Sequence, residues 1–138
     1  MNSTQILYPI AMQLLLILIT ALLTITRRRN GALSGDIKID QFKAMNLAGL
    51  EDKYITPGNS YNNQFQMPML FMMFVLFTLQ LQLVDMFFMV ASWIFVGLRY
   101  AHAYIHLTYN HVMHRLLCFA TSSLILFVCW SRLILLAS

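Results

Sequence analysis

The sequence predicts an all-α integral membrane protein built as a four-helix bundle. Three observations predict it. Hydrophobic residues make up 59% of the 138-residue chain and charged residues only 10%, whereas soluble domains carry roughly 25% charged residues. The mean hydropathy is +0.68. Apolar segments recur at residues 7–26, 61–84, 86–107 and 112–136, each long enough for roughly 30 Å of helix, one bilayer crossing. The length fits a single domain. Its ten Met and ten Phe suit lipid-facing and helix-packing surface.

The first segment, 7–26, carries no charge, and Pro9 falls in its first turn, where a missing N–H costs little. Arg27, Arg28 and Arg29 are expected to stop it. The run begins almost at Met1 without a basic leader and ends in arginines rather than a small-residue cleavage motif, so it reads as a permanent span. Residues 27–59 form the long polar connection, with Gly31, Gly35, Gly49, Pro57 and Gly58 among mixed charges. Phe42, Met45, Leu47 and Leu50 admit a short interfacial helix inside it.

The second segment starts with the polar run Tyr61-Asn62-Asn63-Gln64-Phe65-Gln66, and Pro68 then opens a stretch of Met, Leu, Phe and Val. Asp85 is expected to end this segment and to cap the next helix. So short a connection makes the second and third spans antiparallel neighbours. The third span contains Trp93 and Arg99. Asn110 supplies the turn between Thr108 and His111. In the fourth span, Trp130 and Arg132 suit the membrane interface. Cys118 and Cys129 would lie roughly 16 Å apart on that helix, too far to pair, and read as packing thiols.

Basic residues fix the expected orientation. Arg27, Arg28, Arg29, Lys38, Lys43, Lys53 and Arg115 lie on the side of the first and third connections, and Arg132 alone lies on the other. The first side is therefore expected to be cytoplasmic, with both termini facing away. The net charge of +4 is not a nucleic-acid footprint, because the cations sit beside spans rather than along a polar face.

The chemistry concentrates between Arg99 and Arg115, which brackets all four histidines, His102, His106, His111 and His114. Arg99, His102 and His106 are spaced i, i+3, i+7 and share one helix face. An ionisable cluster at membrane depth is costly and points to function. Arg99 lies roughly 12 Å inside its helix, deep for a snorkelling side chain, and its guanidinium fork suits a carboxylate. Arg115, in the first turn of the fourth helix, is explained by snorkelling as readily as by function. His102 and His106 at i, i+4 admit a metal or haem site, although no second helix carries a partner histidine. Asn62, Asn63, Gln64 and Gln66 read either as a polar helix start or as amides lining a site with Arg99. No Ser-His-Asp set, phosphate loop or zinc spacing is present, and the carboxylates are confined to the first connection and Asp85.

These residues resemble the MAPEG family, membrane-associated proteins of eicosanoid and glutathione metabolism. The resemblance rests on Arg99-x-x-His102 followed by Arg115, and on Asn63-x-x-Gln66 ahead of Pro68. The span count, the short second connection and the long basic first connection agree with it. It covers residues 59–137 well and the first helix in character, and Ser92–Trp130 is similar to the uncharacterised bacterial branch, which implies an inner-membrane location.

The resemblance implies a homotrimer with glutathione as co-substrate, bound between subunits on the cytosolic side. Arg99 would then hold a glutathione carboxylate, and Asn63 and Gln66 would contact the peptide. His102 and His106 would stand beside it. Arg115 would stabilise the thiolate, and one of Arg27, Arg28 and Arg29 would reach in from the neighbour. The implied activity is glutathione-dependent transfer or peroxide reduction on a small apolar substrate entering from the bilayer. Gln66 departs from the family's glutamate, and the arginine common before its asparagine is missing. Two other readings therefore stand beside the enzyme: a non-catalytic subunit of a larger membrane assembly, and haem or metal binding through the histidines.

Overall fold

The computed structural model describes residues 3–38, 40–43 and 49–138. Helix α1, Leu7–Ser34, follows a 3-10 turn at Ser3–Ile6. It runs straight through Arg27, Arg28 and Arg29, which correct the expected stop. Charge ends an apolar segment, but arginine is a good helix former and leaves the hydrogen-bond ladder intact. The helix ends instead at Gly35, whose φ of 84° is the left-handed cap that glycine adopts freely. One stripe of α1 is buried: Ile6, Pro9, Gln13, Leu16, Thr20, Thr24 and Gly31. The Thr20 and Thr24 hydroxyls donate to the Leu16 and Thr20 carbonyls at 3.0 and 2.7 Å, so neither needs a tertiary partner. Leu14, Leu18, Leu22 and Ile25 face outward.

The long polar connection is more helical than its glycines and proline suggest. Helix α2 is one turn, Asp40–Lys43. The interfacial helix expected from Phe42, Met45, Leu47 and Leu50 depends on positions 44–48, which lie outside the described residues. Helix α3, Asp52–Asn62, contains both Pro57 and Gly58. Tertiary packing overrides the turn signal here, because Tyr54, Thr56, Pro57, Gly58 and Ser60 are all buried and α3 packs mainly on α1. The two helices meet where they have no side chain. A Cβ at Gly31 would stand 2.6 Å from both Ile37 Cδ1 and Tyr54 Cε1, and one at Gly58 would collide with the Arg28 guanidinium. Tyr54 Oη and Ser34 Oγ donate to Asp36 Oδ2 at 2.6 and 2.8 Å. These two bonds, Tyr54 first, hold the Asp36 carboxyl below its ordinary value of 3.8.

The second apolar segment is therefore not one uninterrupted helix. A 3-10 turn, Asn63–Phe65, follows α3, and Gln66 breaks the path with φ −99° and ψ −105°. Helix α4, Met67–Gln80, then starts with Pro68 in its first turn. At 14 residues α4 is roughly 21 Å long, and α3 with the 3-10 turn extends the rod. Helices α5, Met86–Leu107, and α6, Val112–Ala137, occupy almost the ranges that the sequence suggests. Among the described residues, three helical stretches are long and apolar enough to cross a membrane: Ser3–Ser34, Met86–Leu107 and Val112–Ala137. With the broken α3–α4 rod they make the four-helix bundle.

Asp85 caps α5 as expected, accepting the Phe88 N–H at 2.8 Å. It also pairs with Arg132, Nη2 to Oδ2 at 2.6 Å. The Arg132 bond, with the Phe88 cap behind it, holds the Asp85 carboxyl below 3.8. Trp130 packs edge-on against Phe74 and Phe77 at 6.0 and 5.8 Å, half-buried rather than purely interfacial. The core between α4, α5 and α6 is aromatic, with Phe71 stacked on Phe95 at 4.6 Å and Phe74 edge-on to Phe88 at 5.2 Å. Both cysteines are free, and Cys129 lies in this core.

Candidate functional site

The spacing of Arg99, His102 and His106 puts them on the inner face of α5, and all three are buried. Arg99 has no exposed surface. Its Nη2 donates to the Asn63 carbonyl at 3.0 Å, in the 3-10 turn that breaks the second rod. The break thus has a consequence: it frees a backbone oxygen that an unbroken helix would use for its own ladder. Arg99 Nε and Nη1 have no hydrogen-bond partner. The Phe119 ring lies 5.8 Å from the guanidinium carbon. A buried cation with two unmet donors costs free energy unless an acceptor arrives.

One turn on, the histidines meet α6. His102 Nδ1 lies 3.0 Å from the Arg115 carbonyl, so that nitrogen carries the proton and donates, while Nε2 is buried without a partner. His106 Nδ1 lies 3.3 Å from Arg115 Nη1. The same Nη1 donates to Asn110 Oδ1. Asn110 sits in the α5–α6 turn with φ 49°, a left-handed conformation that asparagine tolerates. Its side chain therefore does two jobs, shaping the turn and clamping Arg115. An arginine held by Asn110 and His106 is no longer a plain snorkelling side chain.

Two cavities flank this clamp. One, of about 320 Å³, is lined by Arg27, Asp52, Lys53, Thr56, His106 and the α5–α6 turn. The other, of about 200 Å³, is lined by His102, Val112, Arg115, Leu116 and Phe119. The first is lined by polar and apolar groups alike, and the second is largely apolar with Arg115 and His102 on its wall. His106 and Arg115 are bonded across the divide.

Other sequence candidates fall elsewhere. Asn63 is half-buried and enters through its carbonyl, while Gln66 is exposed. The fully buried amide is Gln64, which accepts from Gln13 Nε2 at 3.0 Å and donates to the Ser60 carbonyl at 3.1 Å. Gln13 is not among the sequence candidates, although as the lone amide in the first apolar run it is a polar residue that must face protein. Nothing local distinguishes Gln64 from its neighbours, since only the 3-10 turn decides which amide points inward. His111 and His114 lie against each other on the exposed turn, ring centres 4.3 Å apart and tilted by 41°, with Tyr109 Oη 3.2 Å from His114 Nδ1, and do not join His102 and His106. Among the described residues no three His, Cys, Asp or Glu side chains gather as a metal set.

Comparison with protein-family models matches the chain to the MAPEG family over residues 6–135. The chain belongs to the MAPEG family. No curated protein and no solved structure matches it. MAPEG membership makes this an integral membrane protein of a glutathione-related family of transferase and peroxidase type. In this MAPEG chain, Arg99, His102, His106 and Arg115 converge at one end of the bundle, and Gln66 stands apart from them.

Proposed function

We propose that the protein is a membrane glutathione-dependent transferase or peroxidase acting at the cytoplasmic face on small apolar electrophiles, as a homotrimer. The observation that carries the reading is Arg99: a fully buried guanidinium with two donors unmet. A carboxylate is the acceptor whose geometry fits that fork. Glutathione offers two carboxylates and a thiol. Because Arg99 has no exposed surface, an anion reaches it when the Asn63–Gln66 turn shifts. Asn63 and Gln66 then contact the peptide, and a neighbouring subunit covers the exposed Phe65 and Gln66.

Arg115 faces the apolar cavity, where the thiol would lie beside His102, with His106 bonded to Arg115 from the other cavity. Its positive charge lowers a thiol pKa from about 8.5 and raises the nucleophilic fraction at neutral pH. His106 and Asn110 hold it in place.

Titration of glutathione into detergent-purified protein by calorimetry tests this. A saturable heat is expected for the wild type and a much weaker affinity for Arg99→Ala. Absence of heat in the wild type overturns the reading. Crosslinking in native membranes is expected to trap trimers. Alkaline phosphatase fused after Ser138 is expected to be active, because the basic side of the chain faces the cytoplasm.

A further inference from the structure

At the end of the bundle away from the arginine–histidine site, α5 and α6 part to form a groove of about 520 Å³. Met86, Phe87, Val90 and Ile94 wall it on α5, and Leu124 and Val128 on α6. From Val90 to Arg99 is roughly 13 Å along the helix, and His106 is further still. The groove therefore lies in the other leaflet and is not where an electrophile would meet Arg115.

Two observations say what covers it. The α6 wall continues in register: Arg132 follows Val128 at i+4, on the same helix face. Its guanidinium lies 4.6 Å from the ring of Phe87, itself a wall of the groove. Arg132 Nη2 is on Asp85 at 2.6 Å, but Nη1 is buried with no partner. A donor left unmet beside hydrocarbon is costly. At that depth the bilayer supplies one strong acceptor, the phospholipid phosphate. An apolar trough alone does not distinguish a bound lipid from bulk lipid, since tails are as apolar as the walls. The guanidinium is what sets this groove apart.

We propose that the α5–α6 groove holds one acyl chain of a resident phospholipid whose phosphate accepts from Arg132. The Arg132 side chain is 36% exposed, so a turn of the guanidinium brings Nη1 to the phosphate while Nη2 stays on Asp85, and the tail runs from Phe87 past Val90 toward Ile94.

Native mass spectrometry of protein released from nanodiscs of phosphatidylethanolamine and phosphatidylglycerol tests this. One phospholipid per chain is expected to survive release, and diacylglycerol of the same chains is expected not to. Val90→Trp and Leu124→Trp, both at exposed positions, fill the trough and should lower retention at least tenfold. Arg132→Gln keeps a donor for Asp85 and should lower it similarly. Equal retention of diacylglycerol overturns the proposal, and so does unchanged retention in all three variants. Efficient disulfide crosslinking of Leu124→Cys between two copies also overturns it, because a second copy would then cover the groove.

Discussion

Arg99 and Arg132 stand at opposite ends of one bundle and are treated oppositely. Arg132 has a carboxylate, Asp85, and two aromatic rings, Phe87 and Phe88, at 4.6 and 4.7 Å. It fastens the α4–α5 connection to the end of α6. Arg99 is more deeply buried yet has one hydrogen bond, to a carbonyl released by a broken helix. Clamping a fold needs satisfied charge, and Arg132 comes close to that. Receiving an anion needs unsatisfied charge held in place, and Arg99 is that. The difference separates an arginine anchored to a carboxylate of its own chain from one that has no such anion to hold.

The sharpest test of this contrast is to remove each arginine in turn. Arg99→Ala should cost glutathione affinity about 2–5 kcal/mol, the range for losing one partner of a buried charged contact. Calorimetry reads that loss, and Arg132→Ala should leave the affinity unchanged. Equal losses would erase the distinction between the two ends.

Within the receiving end, Arg115 should separate from Arg99. Arg115→Ala should keep glutathione affinity and lower turnover of a test electrophile on the order of a hundredfold, as for other groups acting on charge formed in the reaction. Lysine at 115 should recover part of the rate, because it keeps the charge without the fork. Steady-state kinetics with KM and kcat resolved decide between this and a purely structural Arg115.

A smaller effect is expected where α3 meets α1. Gly31→Ala drives a methyl into the Tyr54 ring and Ile37, and overpacking of this kind costs about 1–3 kcal/mol. Thermal unfolding in detergent should show it, and glutathione affinity should fall with it if the 3-10 turn loosens.

The smallest effect belongs to the holding end. Asp85→Ala removes the α5 cap, worth about 1 kcal/mol, and a half-exposed ion pair that adds little more. The same carboxyl gives a pH signature. Its pKa is lowered in the fold, by Arg132 first, so its contribution is fully present above 3.8 and is lost as pH falls through the lower folded value. Asp36, lowered by Tyr54 and Ser34, acts in the same direction at the other end. A melting temperature that falls between pH 4 and more acidic conditions, less steeply in Asp85→Asn, checks this.

Much of the architecture was readable from residue order. Apolar length marked α5 and α6, Asp85 was recognisable as a cap, and the i, i+3, i+7 spacing placed Arg99, His102 and His106 on one face. The polar connection misled for a physical reason. Pro57 and Gly58 carry the local signature of a turn, but Gly58 lies inside a helix, with an arginine from another helix lying where its Cβ would be. No local pattern contains that arginine. The same holds for the site. The bond from Arg99 to the Asn63 carbonyl depends on a backbone break, and the clamp of Asn110 on Arg115 depends on a turn folding back over the next helix. Side-chain identity alone announces neither.

The arginine triplet carries a last consequence. Because α1 continues through it, successive residues turn by about 100°, and three like neighbours take three bearings. Arg27 joins the wall of the cavity with Lys53 and His106, Arg28 lies against Gly58, and Arg29 is exposed. Insertion into a membrane counts such charges along the thread, without regard to bearing. The folded chain reads each as a compass heading. Deleting one residue between Ser3 and Arg27 would leave that count intact while rotating the whole triplet, and Gly31 with it, relative to the buried stripe below. A basic run that looks redundant on paper is therefore set to the residue.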